Sequence, residues 1–289
     1  MKRQMVRTLN QEHGYPVTGL CGVLRLSSSS YYYQTVQADE ADVELTIEAI
    51  AGQYPTYGTR RISHQLRRPP YRLQVNRKRV RRIMAQKGLL RLVKRSKKRT
   101  TNSQHPYSRY RNLVKGLEIN RPDQVWVSDI TYVRLVQGFV YLAIVMDVFT
   151  RSIRGWCLSR TLDQELTLAA LRTALATHQP EIHHSDQGVQ YAAYDYSNLL
   201  KEHKCKISMA AIGKPEENGF AERLMRTIKE EEVDLSDYRN FQETAKEIGR
   251  FIEDVYMTKR IHSSLGYLTP IEYETAWMQS HVLAVNASP

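Results

Sequence analysis

No stretch of this 289-residue chain approaches the run of ~20 apolar residues that a membrane-spanning helix requires. The opening residues, MKRQMVRTLNQEHGYP, lack the apolar centre of a secretory signal. A cytoplasmic protein with no membrane partner is expected. Cysteine is scarce: Cys21, Cys157 and Cys205 are odd in number and widely spaced, which excludes a disulfide framework and a metal finger. Internal repeats are absent, which excludes a solenoid. The most telling absence is of acid. Between Glu48 and Glu118 there is no Asp or Glu, while the same interval holds 20 of the 42 Lys and Arg residues. The formal net charge of +12 therefore lives in one segment, and the remainder is mildly acidic. A solvated surface ordinarily mixes both signs, so a one-signed block implies a polyanionic partner.

What is present is enough for a core, with 42% hydrophobic residues. Residues 1–35 predict a short helical unit, with Val17, Leu20, Val23 and Leu24 at helical spacing and Ser27 to Ser30 ending the pattern. Val43, Ile47 and Ile50 mark a further helix over 40–52. In the basic block one helix begins near Thr59, carries Ile62 and Leu66, and must stop before Pro69 and Pro70. A second follows Asn76, a good N-cap, with Val80, Ile83 and Met84 on its apolar side and Gly88 as its stop. Arg60 and Arg61 on the first helix, and Arg77, Lys78, Arg81 and Arg82 on the second, are candidate phosphate contacts. Helix, turn and basic helix form the outline of a helix-turn-helix. The following KRSKKRTTNSQ, with Lys94, Arg95, Lys97, Lys98 and Arg99, reads as a linker lying along phosphates.

The texture changes near Gln124. QVWVSDITYVRL, FVYLAIVMDVF and SIRGWCL predict three successive strands, followed by a helix over Leu162 to His178. EIHHSD is a fourth strand, a helix runs from about Ala192 to His203, and KISMA is a fifth strand. Long helical patterns then span Glu216 to Glu232 and Asn240 to Lys259. Three strands followed by alternating helices and strands predict an α/β layer with a mixed sheet.

Asp129 stands within the first apolar strand, where a carboxylate is disfavoured unless it has work to do. Asp186 ends the fourth strand, and Glu222 lies on the long helix after the fifth, with 35 residues between them. Three carboxylates supply the oxygen ligands that two Mg²⁺ ions need, and such ions can clamp an in-line phosphoryl displacement. At about 100° per residue, Glu222, Arg226 and Lys229 share one helix face, placing positive charge beside the acids. The plainer reading of that face is a solvated helix with a Glu222–Arg226 pair. Glu216, Glu217, Glu230, Glu231 and Glu232 are rivals that need other faces of the helix. Asp147 and Trp126 are expected to be structural, and Arg260, His262 and Ser263 either touch DNA or pack on the core.

These strings resemble a known family. VWVSDITYV, HHSDQGVQY and ENGFAERLMRTIKEE are similar to the Asp-Asp-Glu core of bacterial insertion-sequence transposases, in the branch whose second reading frame encodes a retroviral-integrase-like domain. The spacing of 35, Lys229 seven positions after the glutamate, and KRIHSSLGYLTPIEYE match as well. YGTRRISHQLRR with VNRKRVRRIMAQKGLL resembles the family's helix-turn-helix. Glu217-Asn218-Gly219-Phe220 departs from the usual Asp-Asn-Ala, with Asn218 kept in register. The resemblance implies an RNase H-like mixed five-stranded sheet with flanking helices, preceded by a helical, helix-turn-helix-like region. It implies that Asp129, Asp186 and Glu222 bind two Mg²⁺ (Mn²⁺ substituting), with His184, Asn218, Arg226 and Lys229 near DNA. It implies cleavage at terminal inverted repeats and transfer of a 3′-hydroxyl into target DNA, at least a dimer on double-stranded DNA, and a nucleoid-associated location in a bacterium. An upstream-frame helix-turn-helix and coiled-coil protein is a further expected partner.

The expected division is an N-terminal helical region over 1–52, a helix-turn-helix-like domain over 53–93, a linker over 94–118, a catalytic core over 119–280 and a tail over 281–289. A ribonuclease H or resolvase-type nuclease shares the core but leaves the basic block unexplained. A non-catalytic DNA-binding regulator, or a decayed transposase, would not need Asp129.

Overall fold

The computed structural model describes residues 1–32, 41–91, 110–211 and 214–286. Residues 94–109 of the expected basic linker, including Lys94, Arg95, Lys97, Lys98 and Arg99, lie outside the described residues. The chain divides into two units, 1–45 and 46–289.

The first unit holds α1 (Lys2–His13), α2 (Val17–Val23), α3 (Ser28–Tyr32) and the start of α4 (Ala41–Gln53). α1 carries few apolar residues, so the hydrophobic pattern does not announce it. The serine run does not end helical structure. Once α2 has stopped, the Ser27 hydroxyl accepts the Ser30 N–H and caps the start of α3.

The second unit opens with a helix pair, α5 (Thr59–Arg67) and α6 (Arg77–Gln86). Ile62 and Leu66 of α5 and Val80, Ile83 and Met84 of α6 are fully buried, as the apolar stripes require. The Asn76 side chain accepts the Lys78 N–H at 2.8 Å, the expected N-cap, and Gly88 adopts φ +69° just after α6, a conformation that costs glycine little. Arg77, Lys78, Arg81 and Arg82 are exposed.

The sheet comprises β1 (Val125–Arg134), β2 (Phe139–Asp147) and β3 (Ile153–Ser159), then, interleaved with helices, α7 (Gln164–Leu175), β4 (Ile182–Ser185), α8 (Val189–Ala192), α9 (Tyr194–Glu202) and β5 (Lys206–Met209). Strand order is β3-β2-β1-β4-β5. β2 runs antiparallel to both β1 and β3, whereas β4 runs parallel to both β1 and β5. The helix expected over 192–203 is α9, and a further short helix, α8, precedes it, separated from it by the extended Ala193. The C-terminal helices are α10 (Gly219–Glu231), α11 (Phe241–Arg250) and α12 (Pro270–Asn286). A 3-10 turn over Pro215–Asn218 replaces the expected start of α10, and α11 passes into a π-helical turn, Phe251–Tyr256.

Both sheet faces are covered, so β1 and β2 are apolar nearly throughout. Val125, Val127, Ile144 and Met146 join Leu224, Met225 and Ile228 of α10 and Ile248 and Ile252 in one core. Trp126, Ala143 and Val145 face Leu166, Ala170 and Ala174 of α7. That second contact is close enough to dictate a glycine. A Cβ at Gly155 of β3 would lie 2.2 Å from the Ala170 carbonyl oxygen and 2.8 Å from the Ala174 nitrogen, both backbone atoms. Gly155→Ala is therefore expected to destabilise the fold by about 1–3 kcal/mol or more, by prising α7 from the sheet, as measured by urea unfolding.

Candidate active site

Asp129 and Asp186 are brought together by strand pairing. β1 and β4 are parallel, with Val127 opposite His184, and two residues further along each chain stand Asp129 and Asp186. Asp129 pairs in register with Ile144, a member of the core beneath α10, so alternation puts its carboxylate on the α10 side of the sheet. It is 2% exposed, and its Oδ1 accepts the Ile130 N–H at 2.8 Å. Asp186 is half-buried just past β4. Its Oδ1 accepts the Gly188 N–H at 2.9 Å, and a Cβ at Gly188 would lie 2.9 Å from the same oxygen, so a side chain there would displace the carboxylate.

Glu222 is half-buried in the first turn of α10. One turn earlier, the buried Asn218 donates through Nδ2 to the Ser128 carbonyl at 3.4 Å, tying the helix start to the residue before Asp129. The Asn218 Oδ1 is buried without a hydrogen-bond partner among the described residues. Among the described residues no three His, Cys, Asp or Glu side chains are gathered closely enough to hold a metal ion. Asp129, Asp186 and Glu222 share a region of the fold rather than a closed ligand cage. Their donor set is all oxygen and suits a hard divalent cation, and the unsatisfied Asn218 oxygen adds an acceptor beside it.

Other expected site residues fall differently. His184 was expected near DNA, but it is 1% exposed and both ring nitrogens are used internally: Nδ1 lies 2.8 Å from Ser208 Oγ and Nε2 lies 3.1 Å from the Glu217 carbonyl. Burial likewise takes Asn218 away from a direct DNA contact. Arg61 does not face solvent; its guanidinium pairs with Glu231 at 3.0 Å. Arg60 and Arg226 are exposed, and Lys229 lies 4.1 Å over the Tyr132 ring. Trp126 is buried in the core under α7. Asp147 is wholly buried, accepts backbone N–H groups from Asp123, Phe149 and Thr150, and faces Arg154. Arg260 is likewise committed to the core, holding Glu231 through two bonds of 2.6 and 2.7 Å.

The hydroxyls that orient the buried histidines escaped notice in the sequence. Ser128 Oγ and Tyr196 Oη lie 2.8 and 2.9 Å from His183 Nε2, and Ser208 serves His184. A serine inside the short apolar strand KISMA was the available signal.

A sheet in this order, with β2 reversed, one acid within β1 and another just past β4, is RNase H-like. Comparison with known proteins agrees. Two family models, each described as "Integrase core domain", match residues 119–215 and 203–270, and one described as "HTH-like domain" matches residues 37–98. The "Transposase for insertion sequence element IS629" of Shigella sonnei is 32% identical over 92% of this chain and 94% of its own length. The "Putative transposase InsK for insertion sequence element IS150" of Escherichia coli (strain K12) is 30% identical over 90% of this chain and 93% of its own. Among solved structures, the HTLV-2 integrase catalytic core domain in complex with magnesium aligns at TM-score 0.43 and 16% identity, over 57% of this chain and 99% of that one. The chain belongs to the insertion-sequence transposases, with an integrase core preceded by an HTH-like domain.

The histidines give a pH signature. Burial, with the neighbouring His184, pushes His183 down to about 3. Burial lowers His184 as well, and burial with four nearby arginines pushes His262 down to about 2. His183 and His262 stay neutral in the fold, while the unfolded chain takes up a proton at each near pH 6.5. The unfolded state then binds more protons, so stability falls as pH drops below about 6.5, by up to ~1.4 kcal/mol per pH unit for each histidine. Urea midpoints at pH 7 and pH 5 measure this loss; equal midpoints would contradict it.

Proposed function

We propose that this protein cuts DNA at the terminal inverted repeats of an insertion sequence and joins the freed 3′-hydroxyl to target DNA, with Asp129, Asp186 and Glu222 as its catalytic acids. The observation that supports this reading is that Asp129 within β1 and Asp186 just past the parallel neighbour β4 stand at corresponding positions, with Asp129 on the sheet face covered by the helix that bears Glu222. These three residues would hold two Mg²⁺ ions, or Mn²⁺, with the Asn218 amide oxygen close by. When bound, such ions polarise the scissile phosphate and lower the pKa of the attacking hydroxyl. The chain's own contribution is positioning. Gly188 fixes Asp186, Asn218 fixes the start of α10 against β1, and His184 pins the segment ahead of α10 through the Glu217 carbonyl. Arg226 and Lys229, on the Glu222 side of α10, offset the charge of an incoming phosphate.

DNA is bound by the basic helix α6, whose exposed Arg77, Lys78, Arg81 and Arg82 form a cationic face; Arg60 and the linker residues Lys94, Arg95, Lys97, Lys98 and Arg99 are further phosphate contacts in this reading. The partners are double-stranded terminal-repeat and target DNA, a second copy of the chain on paired ends, and an upstream-frame helix-turn-helix protein. Among the described residues no helix is long and apolar enough to cross a membrane. We place the protein with the DNA of a bacterial cytoplasm.

Two measurements test this reading. In a Mg²⁺-dependent assay on labelled element ends, Asp129→Asn, Asp186→Asn and Glu222→Gln should each reduce cutting and joining by about 10²–10³-fold while DNA binding persists, since the ions contribute several kcal/mol at the transition state. Cutting at the wild-type rate by all three variants would refute the assignment and leave a DNA-binding regulator. Separately, changing Arg81 and Arg82 together to Ala should weaken binding to all DNA sequences alike. It should also reduce the slope of log affinity against log salt by about 2, as two phosphate contacts are lost.

A further inference from the structure

A second feature of the core does not involve the three acids. On another face of α10 than Glu222 and Lys229 lies a cavity of about 870 Å³, within the size range of small-molecule sites. Neither Asp129, Asp186 nor Glu222 lines it. Its wall is strongly cationic at one place. Arg61, Arg151, Arg223 and Arg260 all line it and all act on His262, which lines it too.

The charges there do not balance. Glu231 alone serves two of the four guanidiniums, Arg61 at 3.0 Å and Arg260 at 2.6 Å. Arg151 lies 4.5 Å over the Phe220 ring and, among the described residues, meets no carboxylate within ion-pair distance. Arg223, exposed at the rim, has none within that distance among them either, and Glu230, the acid whose field reaches it, is held by Arg91 at 2.6 Å. Of the two carboxylates on the wall, Glu216 is exposed and Glu217 spends an oxygen on the Asn112 amide and the Ala211 N–H, both at 2.9 Å. His262 stands edge-on to Tyr256 at 5.0 Å, with Arg260 Nη1 3.2 Å from its Nε2. Burial, together with the surrounding positive charge, keeps its ring neutral.

Four guanidiniums line one partly desolvated cavity, only two of them paired with Glu231, and leaving Arg151 and Arg223 without a carboxylate in ion-pair distance there costs Coulomb energy that an anion relieves. Guanidinium groups favour phosphate through paired N–H donors. Much of the remaining wall is apolar, with Val127, Met146, Leu224 and Ile261. That combination suits an organic phosphate better than a bare inorganic ion.

We propose that this cavity binds a nucleotide unit, its phosphate held by Arg151 and Arg223 and its sugar and base against the apolar wall. The nucleotide comes from a DNA strand or from solution. The phosphate site stands on its own geometry; the DNA source rests on the transposase reading.

The test uses the full chain in chelator-containing buffer, which removes metal-dependent chemistry from the measurement. A deoxynucleoside monophosphate, the matching deoxynucleoside and a short DNA strand are titrated by calorimetry into wild type, Arg151→Gln and Arg223→Gln. The monophosphate should bind wild type and the nucleoside should not. Each substitution should weaken monophosphate binding by about tenfold or more, as expected for losing a charged hydrogen-bond partner. Unliganded Arg223→Gln should melt no lower than wild type, because one of several mutually repelling charges has gone. If the DNA strand loses affinity in parallel, the strand is the occupant; if only the monophosphate does, a free nucleotide is. No monophosphate binding at millimolar concentration, or equal binding by all three proteins, overturns the proposal. Failure of the transposase reading would appear instead in the cutting assay with the acid variants.

Discussion

One buried carboxylate joins the parts of the second unit. Glu231 closes α10 and receives Arg61 from α5 and Arg260 from the segment after the π-helical turn. Burial alone would raise its pKa, but the Arg260 and Arg61 guanidiniums bring it below the ordinary value, so it stays charged. An unpaired charge at this depth would cost several kcal/mol, so the three segments must arrive together or not at all. Around this clamp sit smaller ties. The Ile261 N–H donates to Tyr57 Oη at 3.0 Å, His64 stacks on Tyr267 at 3.5 Å, and Arg68 reaches Glu272. α5 and the residues flanking it are thereby tied to α10 and to the segment from Ile261 to Glu272 through their own side chains.

Acidic residues divide into two kinds here. Asp147 and Glu231 have their oxygens filled by protein donors, three backbone N–H groups in one case and two guanidiniums in the other. Asp129 and Asp186 each use Oδ1 to accept an N–H from one or two residues along their own chain. The first kind also ties in residues far along the chain, Asp123 at Asp147 and both arginines at Glu231. The Oδ1 contacts of the second kind are local, one within β1 and one just past β4.

Much of this was legible in the sequence. The five strands follow from runs such as VWVSDITYV because a sheet covered on both faces is apolar almost throughout, and the caps at Asn76 and Gly88 are local chemistry that needs no tertiary partner. The three acids stood out because Asp129 interrupts such a run. Features that depend on distant pairing were not legible. Arg61 looked like another member of a one-signed block, since its partner lies 170 residues away. His184 looked like a site residue because nothing local shows that Ser208 and the Glu217 carbonyl occupy its nitrogens. The start of α10 was misjudged because Pro215 opens a 3-10 turn there.

The π-helical turn at Phe251–Tyr256 sets the phase of the chain beyond it. A π turn accommodates an extra residue relative to α-helical winding, and in an α-helix one residue corresponds to about 100° of rotation. Everything after the turn is thus clocked by a single position. With it, Tyr256 points inward to give its hydroxyl to the Arg151 carbonyl, and Arg260 comes round to Glu231. Loss of one residue within the turn would reset the phase and swing both side chains off their partners while leaving composition and helix length almost unchanged. Relatives that differ by one residue in this stretch should therefore be compared by phase, since a shift there disconnects the arginine clamp from the core as surely as removing the arginine itself.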